Sequence, residues 1–294
     1  MVEKQLLQVK NIKHLMFSLY KKLITYVFMT IFSGLNRLPR GKFATSDGLE
    51  KIWEKTYKHK INNHNLFFHV PNWLAEYRAR TLVSKEPETI SWLDRIPLNS
   101  VIYDIGANIG LYSIYAASLR KAQVIAFEPS FLNLELLFRN IQTNNLQSKI
   151  TIAPISLSNS NQIENFYMQA GDNVWGGAHN SSGQSIKQDG KSMVNFTTSS
   201  QIAISLDSLI DLLKLPLPDY IKIDVDGTES LILSGATNCL GKVKEILVEV
   251  DLKNNSQIIE IDKMLTNLGF FKLDSIDSIK LLENQIWVRK EALK

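Results

Sequence analysis

Cysteine is almost absent: Cys239 is the only one in 294 residues. A lone thiol forms no internal disulfide, so nothing asks for an oxidising compartment. No Cys/His cluster has zinc spacing, and no histidine partner marks Cys239 as a nucleophile, so it reads as a small packing residue. A long apolar run is missing too. Leu23 to Leu35 covers 13 residues, short of the roughly 20 that cross a bilayer. It follows Lys21 and Lys22 as a signal-peptide core would, but no small-x-small cleavage site comes after it. The sequons at Asn180, Asn195 and Asn254 matter only on a secretory route and are read as chance.

Basic charge is lacking where a nucleic-acid enzyme needs it. Residues 1–60 hold 12 Lys and Arg against 4 Asp and Glu, and the remainder holds 21 against 25. The arm is thus strongly basic and the body mildly acidic, which excludes the footprint that neutralises phosphates. Hydrophobic and charged fractions of 45% and 21% are ordinary for a globular chain, long enough for one large α/β domain with an extension or for two small domains.

Residues 101–129 are what the chain is built around. Val101, Ile102, Tyr103 and Ile105 form a short apolar run of β-formers, the pattern of a parallel strand covered on both faces. Gly106 and Gly110 bracket a turn; Leu111, Ile114, Tyr115, Ser118 and Leu119 then recur at helical spacing. Val124 to Phe127 is a second buried strand with Glu128 at its end. A dinucleotide site wants three glycines so that a pyrophosphate can approach a helix N-terminus. Only two are present, and Asp104 would repel a pyrophosphate while suiting a ligand with an ammonium and a sulfonium. Glu128 is spaced to accept from both hydroxyls of a ribose. The set describes an S-adenosylmethionine site better than a nicotinamide one.

The second centre is Asp219-Tyr-Ile-Lys-Ile-Asp-Val-Asp-Gly-Thr-Glu229. Its apolar residues read as a strand lying beside the first and delivering its C-terminal end to the crevice of an open sheet. Asp226 and Glu229 match a capping box opening the helix through Leu231, Ile232 and Leu233. Asp224 has no such local role and is the first candidate for general base, followed by Glu249 at the end of Glu245–Val250. Paired carboxylates can hold Mg²⁺, but no third ligand is evident and no metal is expected.

Four motifs, Asp104-Ile-Gly-Ala-Asn-Ile-Gly110, Phe127-Glu-Pro129, Leu206-Asp-Ser-Leu209 and Ile221 through Glu229, together resemble the FkbM-type S-adenosylmethionine-dependent methyltransferases. Val70-Pro-Asn72 through Lys85-Glu-Pro-Glu-Thr89 looks like a branch often associated with surface-polysaccharide genes. The resemblance covers about residues 66–290. It implies a class I methyltransferase fold: a Rossmann-like, doubly wound, mostly parallel seven-stranded α/β sheet with a helical N-terminal extension. It also implies transfer to an oxygen, most directly a sugar hydroxyl of a surface polysaccharide or glycan precursor. A lipid or polyketide hydroxyl is the alternative enzyme reading, and a non-catalytic ligand-binding or scaffold protein on the same fold is the alternative of another class. Cofactor contacts then fall on Asp104, Gly106, Asn108, Gly110, Glu128, Pro129 and Ser156, the last laid against the adenine.

The domain division expected is a basic helical extension over 1–65 and the methyltransferase domain over 66–294. Residues 5–35 follow a helical period with lysines between the apolar positions. Two readings stand for this helix: packing on the catalytic domain or on a second subunit of a homo-oligomer, or anchoring on an anionic membrane surface. The location expected is cytoplasmic, including the inner face of the membrane. A short helix is expected over 48–60, a strand over 64–72 and a helix over 73–84 with Trp73, Leu74, Tyr77 and Leu82 inward. Arg78 and Glu86 read as pairing with each other or capping a helix, with holding a substrate or cofactor carboxylate as the other role. Residues 169–200 carry five Gly and six Ser and read as a lid or substrate loop. Within them Trp175 is placed to stack on a sugar and His179 is a candidate base.

Overall fold

The computed structural model describes residues 2–169, 174–178, 180–185, 188–273 and 283–289, with side chains from residue 19 onward. Two compact units divide between Lys55 and Thr56. The first holds helices α1 (Val2–Leu35) and α2 (Gly41–Trp53). The second begins with β1 (Thr56–Ile61), β2 (His64–His69), α3 (Trp73–Arg80) and α4 (Pro87–Arg95). Then come β3 (Val101–Ile105), α5 (Leu111–Leu119), β4 (Gln123–Phe127), α6 (Phe131–Thr143) and β5 (Ile150–Ala153). A side sheet is formed by β6 (Ser156–Ser158), β7 (Gln162–Gln169), β8 (Asn180–Ser182) and β9 (Phe196–Ser205). The chain closes with α7 (Leu206–Leu213), β10 (Tyr220–Ile223), α8 (Glu229–Ser234), α9 (Thr237–Leu240), β11 (Glu245–Glu249), α10 (Asn255–Asn267), β12 (Phe270–Lys272) and β13 (Asn284–Arg289).

Among the described residues the main sheet has seven strands in the order β12-β13-β11-β10-β3-β4-β5. β10, β11, β3, β4 and β5 are parallel, and β13 runs antiparallel to both β11 and β12. This is the doubly wound arrangement read from the sequence, with β10 beside β3 as expected. Period-two alternation splits each strand between two cores. Ile102, Val124, Ala126, Tyr220 and Leu247 face α3, α4, α5 and α6, through Trp92, Ile114 and Leu137. Tyr103, Ile105, Ile125, Phe127, Ile221 and Ile223 face the other side, against Leu209, Ile232, Leu240, Ile261 and Leu265 of α7 to α10. Strands buried on both faces need continuous apolar runs, which is why these segments read clearly.

Three expectations are corrected. The helix drawn over 48–60 ends at Trp53, and Thr56–Ile61 is a strand paired with His64–His69. Asn62 at φ 52° makes the tight turn between them, and this hairpin lies within the second unit. In α3 the buried residues are Ala75 and Ala79; of those expected inward only Leu82, beyond the helix, is buried, while Trp73 and Tyr77 are exposed. Small residues on the inner face let neighbouring chain come close: a Cβ on Gly176 would lie 3.5 Å from the Ala75 Cα. Finally, 169–200 is not one long loop. Asn180–Ser182 and the start of β9 pair with β7, a ladder that joins residues far apart in sequence.

Candidate active site

The C-terminal ends of β3, β4, β10 and β11 open on a cavity of about 330 Å³, within the range typical of small-molecule sites. Gly106, Asn108, Glu128, Pro129, Ser156, Asp224 and Glu249 all line it. Asp104 and Gly110 do not, among the described residues, and His179 lies outside the described residues.

Gly106 and Gly110 have packing reasons of their own. At Gly106, φ +84°, a Cβ would stand 1.9 Å from the Asp224 carbonyl oxygen. At Gly110, φ +83°, it would stand 2.4 Å from Leu137 Cδ1. The first glycine therefore brings the β3 turn against the end of β10, and the second seats α5 on α6. Gly106 N and Ala107 N both donate to Phe127 O, at 3.0 and 2.9 Å, which pins this turn to β4.

Glu128 is buried and takes backbone donors: Asn108 N at 2.7 Å on Oε2 and Ser130 N at 2.8 Å on Oε1. A third, long bond of 3.5 Å comes from Asn133 Nδ2. Burial pushes its carboxyl up to about 7, against the lowering effect of these donors. Ser130 occupies the N-cap position of α6 without a side-chain cap bond. Asn133, expected to complete a capping box, instead holds the Gly176 N–H at 3.0 Å and donates to Gly177 O at 3.1 Å.

That contact belongs to a clamp on residues 175–177. Asn72 Nδ2 donates to Trp175 O at 2.9 Å, Arg78 Nε to Gly176 O at 2.6 Å and Asn108 Nδ2 to Gly177 O at 2.8 Å. Arg78 thus bonds the loop, and Glu86 pairs with Lys85 at 2.7 Å, instead of the two pairing with each other. Asp226 and Glu229 do not cap α8 as a box either. Asp226 accepts from Asn180 N at 3.0 Å. Glu229 is fully buried, accepts from Gly227 N at 3.3 Å and from the Gln257 amide, and is pushed up to about 8 by burial.

The opposite flank of β3 carries a cluster in which sequence reasoning missed the central residue. Lys222 is 1% exposed and stands in register beside Asp104, on the sheet face where Asp224 continues the row. Its Nζ lies 2.5 Å from Asp224 Oδ2 and 4.9 Å from the centre of the Tyr112 ring. Burial works against the charge of Lys222, but three carboxylates, Asp224, Asp104 and Glu86, raise its pKa. Burial likewise opposes ionisation of Asp224, and the Lys222 ammonium overcomes it, holding the carboxyl below the usual range. Glu249 is hydrogen-bonded to Asp224 and is pushed up to about 10, first by that negative charge and then by burial. The Lys222 ammonium thus favours the negative charge of the pair on Asp224. Asp104 itself lies behind the turn, bonded to Ser113 Oγ at 2.5 Å, and burial raises its pKa. A lysine inside the apolar strand Tyr220-Ile-Lys-Ile223 was the available signal for this cluster.

Among the described residues no group of three or more His, Cys, Asp or Glu side chains is disposed to hold a metal ion. An open parallel sheet, an acid after β4 and a carboxyl pair at the ends of β10 and β11 define a Rossmann-like methyltransferase. The profile of the methyltransferase FkbM domain matches residues 104–272, and the chain belongs to that family, whose members are S-adenosylmethionine-dependent methyltransferases. It is similar to the hexuronic acid methyltransferase AglP of Haloferax volcanii, 25% identical over 196 residues that make up 65% of this chain and 74% of AglP. It is also similar to the methyltransferase sdnD of Sordaria araneosa, 27% identical over 159 residues, 48% of this chain and 61% of sdnD. Among solved structures, the precorrin-6y C5,15-methyltransferase of Geobacter metallireducens matches with a TM-score of 0.41 at 16% identity, over 72% of this chain and 93% of that one.

Proposed function

We propose that this enzyme methylates an oxygen of a sugar in a glycan or glycan precursor, with S-adenosylmethionine as donor. The observation that carries the reading is the carboxyl pair on the cavity wall, Asp224 set against the buried Lys222 ammonium at 2.5 Å with Glu249 beside it. The printed name of the Haloferax relative, a hexuronic acid methyltransferase, supports a sugar acceptor.

The residues fit the donor. A carboxylate has about four acceptor sites. Glu128 spends two on short backbone bonds and one on a long bond, leaving acceptor capacity for ribose hydroxyls. Among the described residues Ser156 Oγ is buried with no partner, and it lines the same cavity, a polar atom that an adenine nitrogen would satisfy. Asn108 and Pro129 complete this wall. Gly106 and Gly110, with Asp104 behind them, serve by shaping the turn. When bound, the donor supplies an electrophilic methyl on a sulfonium.

Asp224 accepts a hydrogen bond from the acceptor hydroxyl, orients its oxygen and takes the proton as the methyl arrives. Lys222 keeps Asp224 ionised for that step. Glu249, still protonated, donates to Asp224 and keeps the pair at one net charge. The clamped segment 175–177 contributes Gly177 to the cavity wall and restricts water.

Calorimetric titration with S-adenosylmethionine and S-adenosylhomocysteine comes first, followed by methyl-transfer assays on glycuronides and neutral glycosides. Binding of both nucleosides and transfer to a glycoside support the proposal. A folded protein that binds neither removes its basis, and transfer only to a lipid or polyketide hydroxyl replaces the acceptor.

A further inference from the structure

The unit Met1–Lys55 has an amphipathic surface that the methyltransferase reading does not use. In α1, Tyr20, Leu23, Ile24, Val27, Ile31 and Leu35 are all exposed, between 45% and 62%. At 3.6 residues per turn these six share one broad arc. Lys22 and Thr25 fall on the opposite side with the exposed Met29, and Lys21 lies at the flank of the arc. A set of bulky apolar side chains this large, left in water, marks a contact surface.

Three observations select what it contacts. The first is charge: Lys21 and Lys22 precede the apolar run, Arg37, Arg40 and Lys42 follow it, and Glu3 is the only acidic residue before Asp47. A surface of that sign seeks an anionic partner, and a second copy of the same basic helix would be repelled. The second is length. Thirteen helical residues span about 20 Å at about 1.5 Å each, against about 30 Å of hydrocarbon. Among the described residues no helix is long and apolar enough to cross a membrane. The third is how the run handles its hydroxyls. Thr30, at the edge of the arc, donates its Oγ1 proton to Tyr26 O at 2.8 Å, so that proton does not require a water acceptor. Tyr20 and Tyr26 add the amphipathic rings that favour the headgroup level.

We infer that residues 19–35 of α1 lie in the plane of an anionic lipid surface, apolar arc in the acyl boundary and lysines at the headgroups. The helix is a peripheral docking element, with binding driven jointly by apolar burial and by attraction to negative lipid.

Vesicle co-sedimentation of the full chain tests this, using phosphatidylcholine alone and phosphatidylcholine mixed with phosphatidylglycerol. The wild type sediments with the mixed vesicles and is released by salt. Lys21→Glu with Lys22→Glu, and separately Leu23→Glu with Val27→Glu, each lower the bound fraction by at least about tenfold. S-adenosylhomocysteine affinity and thermal unfolding of the second unit serve as folding controls and stay at the wild-type values. Wild-type protein that remains in the supernatant with mixed vesicles overturns the inference. If it then self-associates in sedimentation velocity, and Leu23→Glu with Val27→Glu abolishes the association, the arc belongs to a second copy of the chain. Equal, salt-insensitive retention by pure phosphatidylcholine also overturns it, because the lysines would then have no part.

Discussion

Glu128 and Asp224 follow β4 and β10, the strands on either side of β3, and both face the same cavity. Glu128 is held by backbone N–H groups of two turns and sits near neutral pKa, about 7. Asp224 is held by a buried ammonium from its own strand and stays well below the ordinary range, while Glu249 beside it is pushed up. Dipoles that fix a carboxylate's position do not guarantee its charge once water is removed, whereas a full opposite charge does. One end of the cavity is therefore suited to recognising hydroxyls and the other to keeping a base available.

The strongest way to break this contrast is Asp224→Asn. It retains shape and removes the base, so turnover should fall by about 10²–10⁴ while calorimetric S-adenosylhomocysteine affinity is nearly unchanged. A wild-type rate in this variant would end the base assignment. Lys222→Met tests the counter-charge. It leaves Asp224 and buried Asp104 without their cation, and urea unfolding should show a loss of about 3 kcal/mol.

Glu128→Gln sharpens the other side. Hydroxyl donors bind an ionised carboxylate more strongly, so wild-type S-adenosylhomocysteine affinity should rise as pH increases through about 7. In the variant the profile should be flat and binding about tenfold weaker at the alkaline end, about 1.4 kcal/mol. The smallest change at neutral pH is expected for Glu249→Gln, because an amide replaces a carboxyl that is already protonated. Its signature is in thermal melting. A carboxyl raised from 4.5 to about 10 in the fold contributes stability that is complete below 4.5 and lost as pH rises through 10. The variant's melting temperature should therefore fall less than the wild type's across that window.

Much of this site was legible because it depends on sequence-local features. Gly106, Glu128 and Asp224 each end an apolar run or open a turn, and their order along the chain reports their place at the sheet edge. The reason for Gly106 was not legible. Its missing Cβ answers to the Asp224 carbonyl, more than a hundred residues away in sequence. Asp226 and Glu229 matched a capping box by spacing, yet their partners are Asn180 and Gln257. Local spacing cannot weigh a distant donor against a nearby one. The apolar period through Leu49, Ile52 and Trp53 likewise ran on into a segment that pairs as a hairpin.

By itself the sequence determined the parallel sheet, its glycine-bracketed turn, the acids at its strand ends and the basic character of the N-terminal helix. Each follows from side-chain periodicity, backbone freedom or charge, properties carried by adjacent residues. Tertiary structure alone decided which acid is ionised, through Lys222 brought against Asp224 and Asp104. It alone decided that Asn72, Arg78, Asn108 and Asn133 converge on residues 175–177. The charge state of a buried group and the partner of a loop carbonyl are set by whatever the fold brings within hydrogen-bonding distance, and most of those groups are remote in sequence.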